Sequence, residues 1–258
     1  MTSPEQLFAL ATDPQQYDSP GLDWLREGAP DSPSARFFRS YLERELSDLR
    51  GAAVIDIGCG TGHLYTLFHA LGAARVVGLE PSRRMAAVAR RLFPGLEVIE
   101  RKLLSCKLGP EFDLAVAVMS FEHQPDLTAA FRAVRGLLGA GGKFTLAFGD
   151  SRFHLGPRFD VELEARPLTD GSVAVATRHP YGVLHDVVRP VEHYANSAAA
   201  AGFTVERTLE LTPNSALFDA DPRWRELEGR PVAHLWTLRA PDDRGAARRA
   251  KGGSPGPR

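Results

Sequence analysis

The chain has 258 residues, 43% apolar, 24% charged and 9% aromatic, with 31 Lys and Arg against 32 Asp and Glu. That length is one large domain or two small ones, and it can bury a core that needs neither disulfides nor metal. The balanced charge excludes a nucleic-acid footprint spread over the whole chain, and no window approaches the roughly 20 apolar residues of a membrane helix.

The two cysteines, Cys59 and Cys106, are well separated and form no disulfide framework. Residues 1–12 lack the basic start and apolar run of a secretory signal. A cytoplasmic setting with reduced thiols is expected.

Residues 1–33 are rich in Pro, Asp and Ser yet carry Phe8, Tyr17 and Trp24, which marks a segment that docks on a domain. From residue 34 to 49 the pattern is helical, with Phe37, Phe38, Tyr41, Leu42, Leu46 and Leu49 on one stripe. Strands and helices then alternate. Residues 53–57 (AVIDI) form a buried strand, 64–71 a helix, 75–79 (RVVGL) a second strand and 82–93 a helix capped by Ser82 and stopped by Pro94. Residues 96–100 form a third strand and 114–119 (LAVAVM) a fourth, whose unbroken apolar run predicts cover on both faces. A helix over 126–138, capped by Asp126 and followed by Gly139, leads to a fifth strand at 143–148. This alternation predicts a parallel sheet with helices on both faces.

Beyond Gly149 the rhythm changes. Residues 161–166 and 172–178 alternate strictly around Thr169-Asp170-Gly171, which predicts an inserted β-hairpin. A helix over 191–201 follows, then strands at 203–211 and 233–239 with at most a short helix at 221–228 between them, which predicts an antiparallel pair. Residues 241–258 hold no large apolar side chain and read as a disordered tail. The division expected is a cap at 1–33, a domain at 34–240 with the insert 151–189 as a lid, and the tail.

The chemistry concentrates in Asp56-Ile57-Gly58-Cys59-Gly60-Thr61-Gly62, where a strand runs through three glycines into a helix. Glycines let the backbone turn sharply and approach a ligand, and the helix start offers free N–H groups. Glu80, at the tip of the second strand, is placed to accept hydrogen bonds from ribose hydroxyls. Together they predict an adenosine-type ligand at the carboxyl ends of the strands. In the dinucleotide fingerprint the third glycine falls three positions after the second, and here His63 stands there.

At this point the sequence resembles the class I S-adenosylmethionine-dependent methyltransferases. The resemblance rests on the glycine loop, Glu80-Pro81-Ser82, Phe112-Asp113 opening the fourth strand, Phe121-Glu122-His123 after it, and the Gly141-Gly142 turn. It implies a Rossmann-like, seven-stranded, mostly parallel sheet with an antiparallel last strand. S-adenosylmethionine is the implied cofactor, with Gly58, Cys59, Gly60 and Gly62 against its methionine part and Asp56 orienting the loop. Glu80 would take the ribose with Pro81 beside it, while Met119, Ser120 and His123 would line the methyl end. Many members carry an acid after the third strand. Here Leu103, Leu104 or Ser105 stands there instead. Tyr17-Asp18 resembles the N-terminal segment that covers the cofactor in small-molecule members.

Methyl transfer asks the protein for proximity, alignment and a dry pocket, and for some acceptors a base. His123 is the best-placed base; His154, His179, His185, His193, Tyr17 and Tyr181 are others. No histidine pair or cysteine partner has metal-ligand spacing, so no metal is predicted. Arg152, Arg158, Arg178 and Arg189 are available for an acidic acceptor. The expected partner is a small molecule, with no nucleic acid and no membrane; the oligomeric state stays open. Two other readings compete, a non-catalytic S-adenosylmethionine-binding protein and an NAD-type oxidoreductase. The glycine spacing speaks against the latter.

Overall fold

The computed structural model describes residues 2–19, 31–46, 48–157, 159, 161–179 and 182–242. Trp24, Arg158, Tyr181 and most of the tail, residues 243–258, lie outside them.

A seven-stranded sheet forms the centre, in the order β3-β2-β1-β4-β5-β10-β9. Its strands are β1 Ala53–Ile57, β2 Arg75–Leu79, β3 Glu97–Ile99, β4 Phe112–Val118, β5 Leu138–Gly149, β9 Thr204–Leu211 and β10 Ala233–Arg239. β1 to β5 pair in parallel, and β10 runs antiparallel to both β5 and β9.

The apolar runs of β1 and β4 are sorted by the pleat. Val54, Leu114, Val116 and Val118 join one core layer; Ile55, Ile57, Ala115 and Ala117 join the other. The first layer is closed by Phe37, Phe38 and Leu42 of α2 (Pro33–Glu45) and by Leu67 and Phe68 of α3 (Tyr65–Ala70). Ala89 of α4 (Arg83–Leu92) adds to it. The second layer is closed by Phe131 and Val134 of α5 (Leu127–Leu137) and by Tyr194 and Ala198 of α7 (Val191–Ala200). Ser82 and Asp126 cap α4 and α5, as their positions predict.

Four details differ from the sequence reading. The docked N-terminal segment contains a helix, α1 (Pro4–Ala11), closed by a capping box in which Ser3 Oγ accepts from Gln6 N and Gln6 Oε1 accepts from Ser3 N. The helix expected over 34–49 ends at Glu45, although Leu46 and Leu49 still bury their side chains. Gly139 does not cap α5; β5 begins at Leu138, directly after the helix. The predicted hairpin, β6 (Glu162–Pro167) and β7 (Val173–His179), gains a third strand, β8 (Gly182–Val188). Short helices α6 (Ser151–Leu155) and α8 (Ser215–Phe218) complete the chain.

The small sheet and α1 form one body. α1 packs on β7 and β8 and buries Leu7 against Ala174 and Ala176. Gln16 completes the join: its Oε1 accepts from His185 N at 3.0 Å, and its Nε2 donates to His185 O at 3.2 Å. The 3-10 turn Pro14–Asp18 then crosses to the main sheet, where Asp18 Oδ1 accepts from Ser82 Oγ (2.7 Å) and Arg84 N (3.0 Å). The first segment is therefore a strap between the inserted sheet and the start of α4. Among the described residues no helix is long and apolar enough to cross a membrane.

Candidate active site

The strand order reverses between β1 and β4, the place where open α/β sheets open a crevice at their carboxyl ends. A cavity of about 490 Å³ lies there. Gly58 and Gly60 from the loop after β1, Glu80 and Pro81 after β2, Leu103 and Leu104 after β3, and Met119, Ser120 and His123 after β4 line it. Tyr17 of the strap lines it as well.

Three of the predicted binding residues do not line it. Asp56 is buried beneath the loop. The Cys59 side chain is buried too, packed so tightly under Gly78 that a Cβ there would sit 2.6 Å from Sγ. Gly62, at φ +82°, faces Phe93 and Leu96. These residues shape the loop from behind. Ser120 locks it from the side, donating to Ile57 O at 2.7 Å while standing where any Gly58 side chain would go. Met119, the residue after β4, takes a positive φ of 49°, a strained conformation at the rim of the cavity.

The cavity offers open backbone and an unpartnered polar group of the kind the expected cofactor needs. A Cβ on Gly60 would meet nothing within 4 Å, so the bare backbone faces open cavity. Thr61, also in the lining, has a buried hydroxyl without a hydrogen-bond partner. Glu80 is held by its own loop: Oε2 accepts from Gly60 N at 2.9 Å and Oε1 from Ser82 N at 2.7 Å. Burial pushes Glu80 up to about 7 against these two N–H groups. Burial, with the nearby Glu80 charge, pushes Asp56 up to about 7 as well. His63, beside Thr61 in the lining, is pushed down to about 4 by burial and by Arg39.

At the far end His123 Nε2 lies 2.6 Å from Tyr17 Oη and 3.6 Å from Asp186 Oδ1, and its Nδ1 lies 3.0 Å from Ala11 O. Burial, then Asp186, Glu80 and Glu122, holds the Tyr17 phenol well above its ordinary value. The remaining wall is apolar and aromatic: Phe37, Phe38, Phe153, Leu184 and Trp224. Phe37 and Phe38 read as pure core from periodicity, and α2 has them serve both core and cavity.

Of the other candidate bases, His154 and His179 line the cavity. His193 meets Ser172 Oγ at 3.3 Å behind the inserted sheet. His185 does not line the cavity and keeps a buried Nδ1 without a hydrogen-bond partner. Arg189 is not available to an acceptor. It is buried and donates to the carbonyls of Glu122 (3.1 Å) and Gln124 (2.6 Å), bracing the turn that carries His123. Arg152 and Arg178 pair with Asp150 and Glu164.

Residues 54–142 match a family model described as a methyltransferase domain. The ubiquinone biosynthesis O-methyltransferase of Xanthomonas euvesicatoria pv. vesicatoria is 36% identical over 113 residues, which is 42% of this chain and 46% of that protein. The chain thus spans about half the length of the curated relatives it matches. A solved S-adenosylmethionine-dependent methyltransferase from Mesorhizobium loti is 26% identical with a TM-score of 0.59, covering 83% of this chain and 99% of that one. A Burkholderia thailandensis 1,6-didemethyltoxoflavin-N1-methyltransferase, solved with 1,6-didemethyltoxoflavin and S-adenosylhomocysteine, shares the fold at 19% identity. Its TM-score is 0.60, over 94% of this chain and 92% of that one. Glycine loop, strand order and matched domain agree: residues 54–142 match a methyltransferase domain, within a chain that is similar over most of its length to a solved S-adenosylmethionine-dependent methyltransferase.

Proposed function

We propose that this protein transfers a methyl group from S-adenosylmethionine to a small organic acceptor. The observation that carries the reading is one cavity joining the glycine loop and Glu80 to His123, roofed by the strap and the inserted sheet. Bound S-adenosylmethionine supplies a methyl group already activated on a sulfonium. The Gly58–Gly60 backbone and Glu80 hold the methionine and ribose parts, with Pro81, Leu103 and Leu104 on the adenine side. Met119, Ser120, Tyr17 and His123 border the methyl end. His123 Nε2 accepts a proton from the acceptor, and the aromatic wall excludes water.

A relative named as an O-methyltransferase and a neighbour solved with a small heterocycle support a small-molecule acceptor. In this reading residues 1–33 are the cap, 34–240 the methyltransferase domain and 151–189 the lid. The free thiols Cys59 and Cys106 suit a cytoplasmic setting.

Calorimetry with S-adenosylmethionine, S-adenosylhomocysteine and NAD tests the first step. Binding of the first two is expected; tight NAD binding with neither of them overturns the reading. Incubation with a metabolite extract and labelled methyl donor, followed by mass identification of the product, then names the acceptor.

A further inference from the structure

His123 stands on the main sheet, but its polar partners do not. Ala11 lies at the end of α1, Tyr17 on the strap and Asp186 on β8. A backbone carbonyl can only accept, so Ala11 O at 3.0 Å requires a proton on His123 Nδ1. In the neutral ring this leaves the Nε2 lone pair facing the cavity, where Tyr17 Oη donates to it at 2.6 Å. A carboxylate 3.6 Å from that lone pair gains nothing until Nε2 takes a proton, and then it faces an imidazolium.

We propose that the lid sets the chemistry of His123: Ala11 O fixes the tautomer that exposes Nε2, and Asp186 is a positioning residue that holds the imidazolium formed on proton uptake. This rests on the reading of His123 as the proton acceptor. The step balances simply. The acceptor's proton leaves its heteroatom and bonds to the Nε2 lone pair, either directly or through Tyr17, whose own proton moves to Nε2 as the acceptor's arrives. The bonding pair stays on the heteroatom and forms its bond to the methyl carbon as the sulfonium–methyl bond breaks, that bond's electron pair going to sulfur and S-adenosylhomocysteine leaving as the neutral thioether. The proton leaves His123 for solvent after product release. The groups facing the ring are Asp186 from β8, Tyr17 from the strap and Glu122 from its own turn. Burial keeps Tyr17 a neutral phenol, so it relays a proton and does not act as a standing base.

A consequence is that an unfastened lid releases the tautomer of His123. Leu7, buried in the α1–β7 contact, is the place to unfasten it without touching the site. The full chain, labelled with 15N-histidine and saturated with S-adenosylhomocysteine, is examined by long-range proton–nitrogen correlation. His123 is assigned by the peaks that His123→Gln removes. The expected wild-type pattern is the Nδ1-protonated tautomer; Leu7→Asp converts it to a mixture with the Nε2-protonated form. An Nε2-protonated wild type, or a Leu7→Asp spectrum identical to wild type, overturns the tautomer lock. In the same spectra Asp186→Asn moves the His123 ring signals and Asp186→Glu restores them. No change overturns the role of Asp186.

Turnover supplies a second arm, with phenol and thiophenol as probes at pH 8. Asp186→Asn lowers kcat for phenol by roughly 10²-fold with an unchanged KM for the methyl donor, and spares thiophenol, which arrives ionised. Equal losses on both probes mean a structural role and overturn the proposal. Failure to bind S-adenosylmethionine in calorimetry sinks the functional reading itself, whatever the ring spectrum shows.

Discussion

Glu80 shows how one side chain serves two ends. It accepts from Gly60 N and Ser82 N, so it builds the loop beside which, in the proposed function, it also holds the ribose. Glu80→Ala removes charge-assisted hydrogen bonds worth roughly 1.5–3 kcal/mol each and also frees two buried N–H groups. The expected result is a raised KM for S-adenosylmethionine with a modest change in kcat, read by steady-state kinetics. Gly60→Val fills the open space in front of the loop and abolishes cofactor binding in calorimetry.

The same burial makes stability depend on pH. Asp56 and Glu80 are held up to about 7, above their ordinary 3.8 and 4.5, so the folded chain keeps protons that the unfolded chain has lost. Stability then falls as pH rises from those ordinary values through about 7 and levels off above it. His63, pushed down to about 4 from 6.5, contributes in the opposite direction, a gain that builds above about 4 and levels off once pH exceeds 6.5. The ligand-free protein is therefore expected to melt at lower temperature at pH 8 than at pH 6.5, by differential scanning calorimetry. Glu80→Gln flattens that slope.

At the scale of elements, the strap explains why residues so far apart in sequence meet. α1 is anchored to β7 and β8, Gln16 clasps His185, and Asp18 caps α4, so Pro14–Asp18 is drawn across the cavity. Segments that close over a ligand are less stable than the core beneath them. Hydrogen exchange should show added protection in residues 4–18 and in β6 to β8 when cofactor and acceptor are present. Protection confined to another surface argues against this lid. Deleting residues 1–20 is expected to leave the far-ultraviolet circular dichroism of the main sheet intact and to cut turnover by roughly 10²-fold or more, as Tyr17 and the Ala11 carbonyl are lost. α1 was legible in principle, since Ser3-Pro4-Glu5-Gln6 spells a capping box before Leu7, Phe8 and Ala11. β8 was less so. Gly182–Val188 has no clean alternation, because its side chains meet α1 on one face and the cavity on the other.

The whole molecule divides labour between a rigid sheet and a lighter roof. Phe121, Phe131, Phe144 and Phe203 interlock through edge-to-face and tilted ring contacts in the layer under α5 and α7. Phe131→Ala is expected to cost about 3–5 kcal/mol in urea unfolding, since a cavity at that depth cannot collapse. Cofactor KM should move little at temperatures where the variant is folded, because Phe131 does not itself line the cavity.

The sequence by itself determined the sheet and the cofactor loop, because both depend on neighbours along the chain. A strand covered on both faces needs an unbroken apolar run, and a backbone that turns at φ +73° and +55° needs Gly58 and Gly60. Only the tertiary structure decided what surrounds His123. Ala11, Tyr17 and Asp186 reach it from three separate elements. It also decided that Arg189 braces a turn, that Cys59 and Gly62 face inward, and that the hairpin has a third strand. These outcomes depend on contacts between residues far apart in the chain. Hydrophobic periodicity is a local signal, and it carries no record of which distant segment will pack against the one being read.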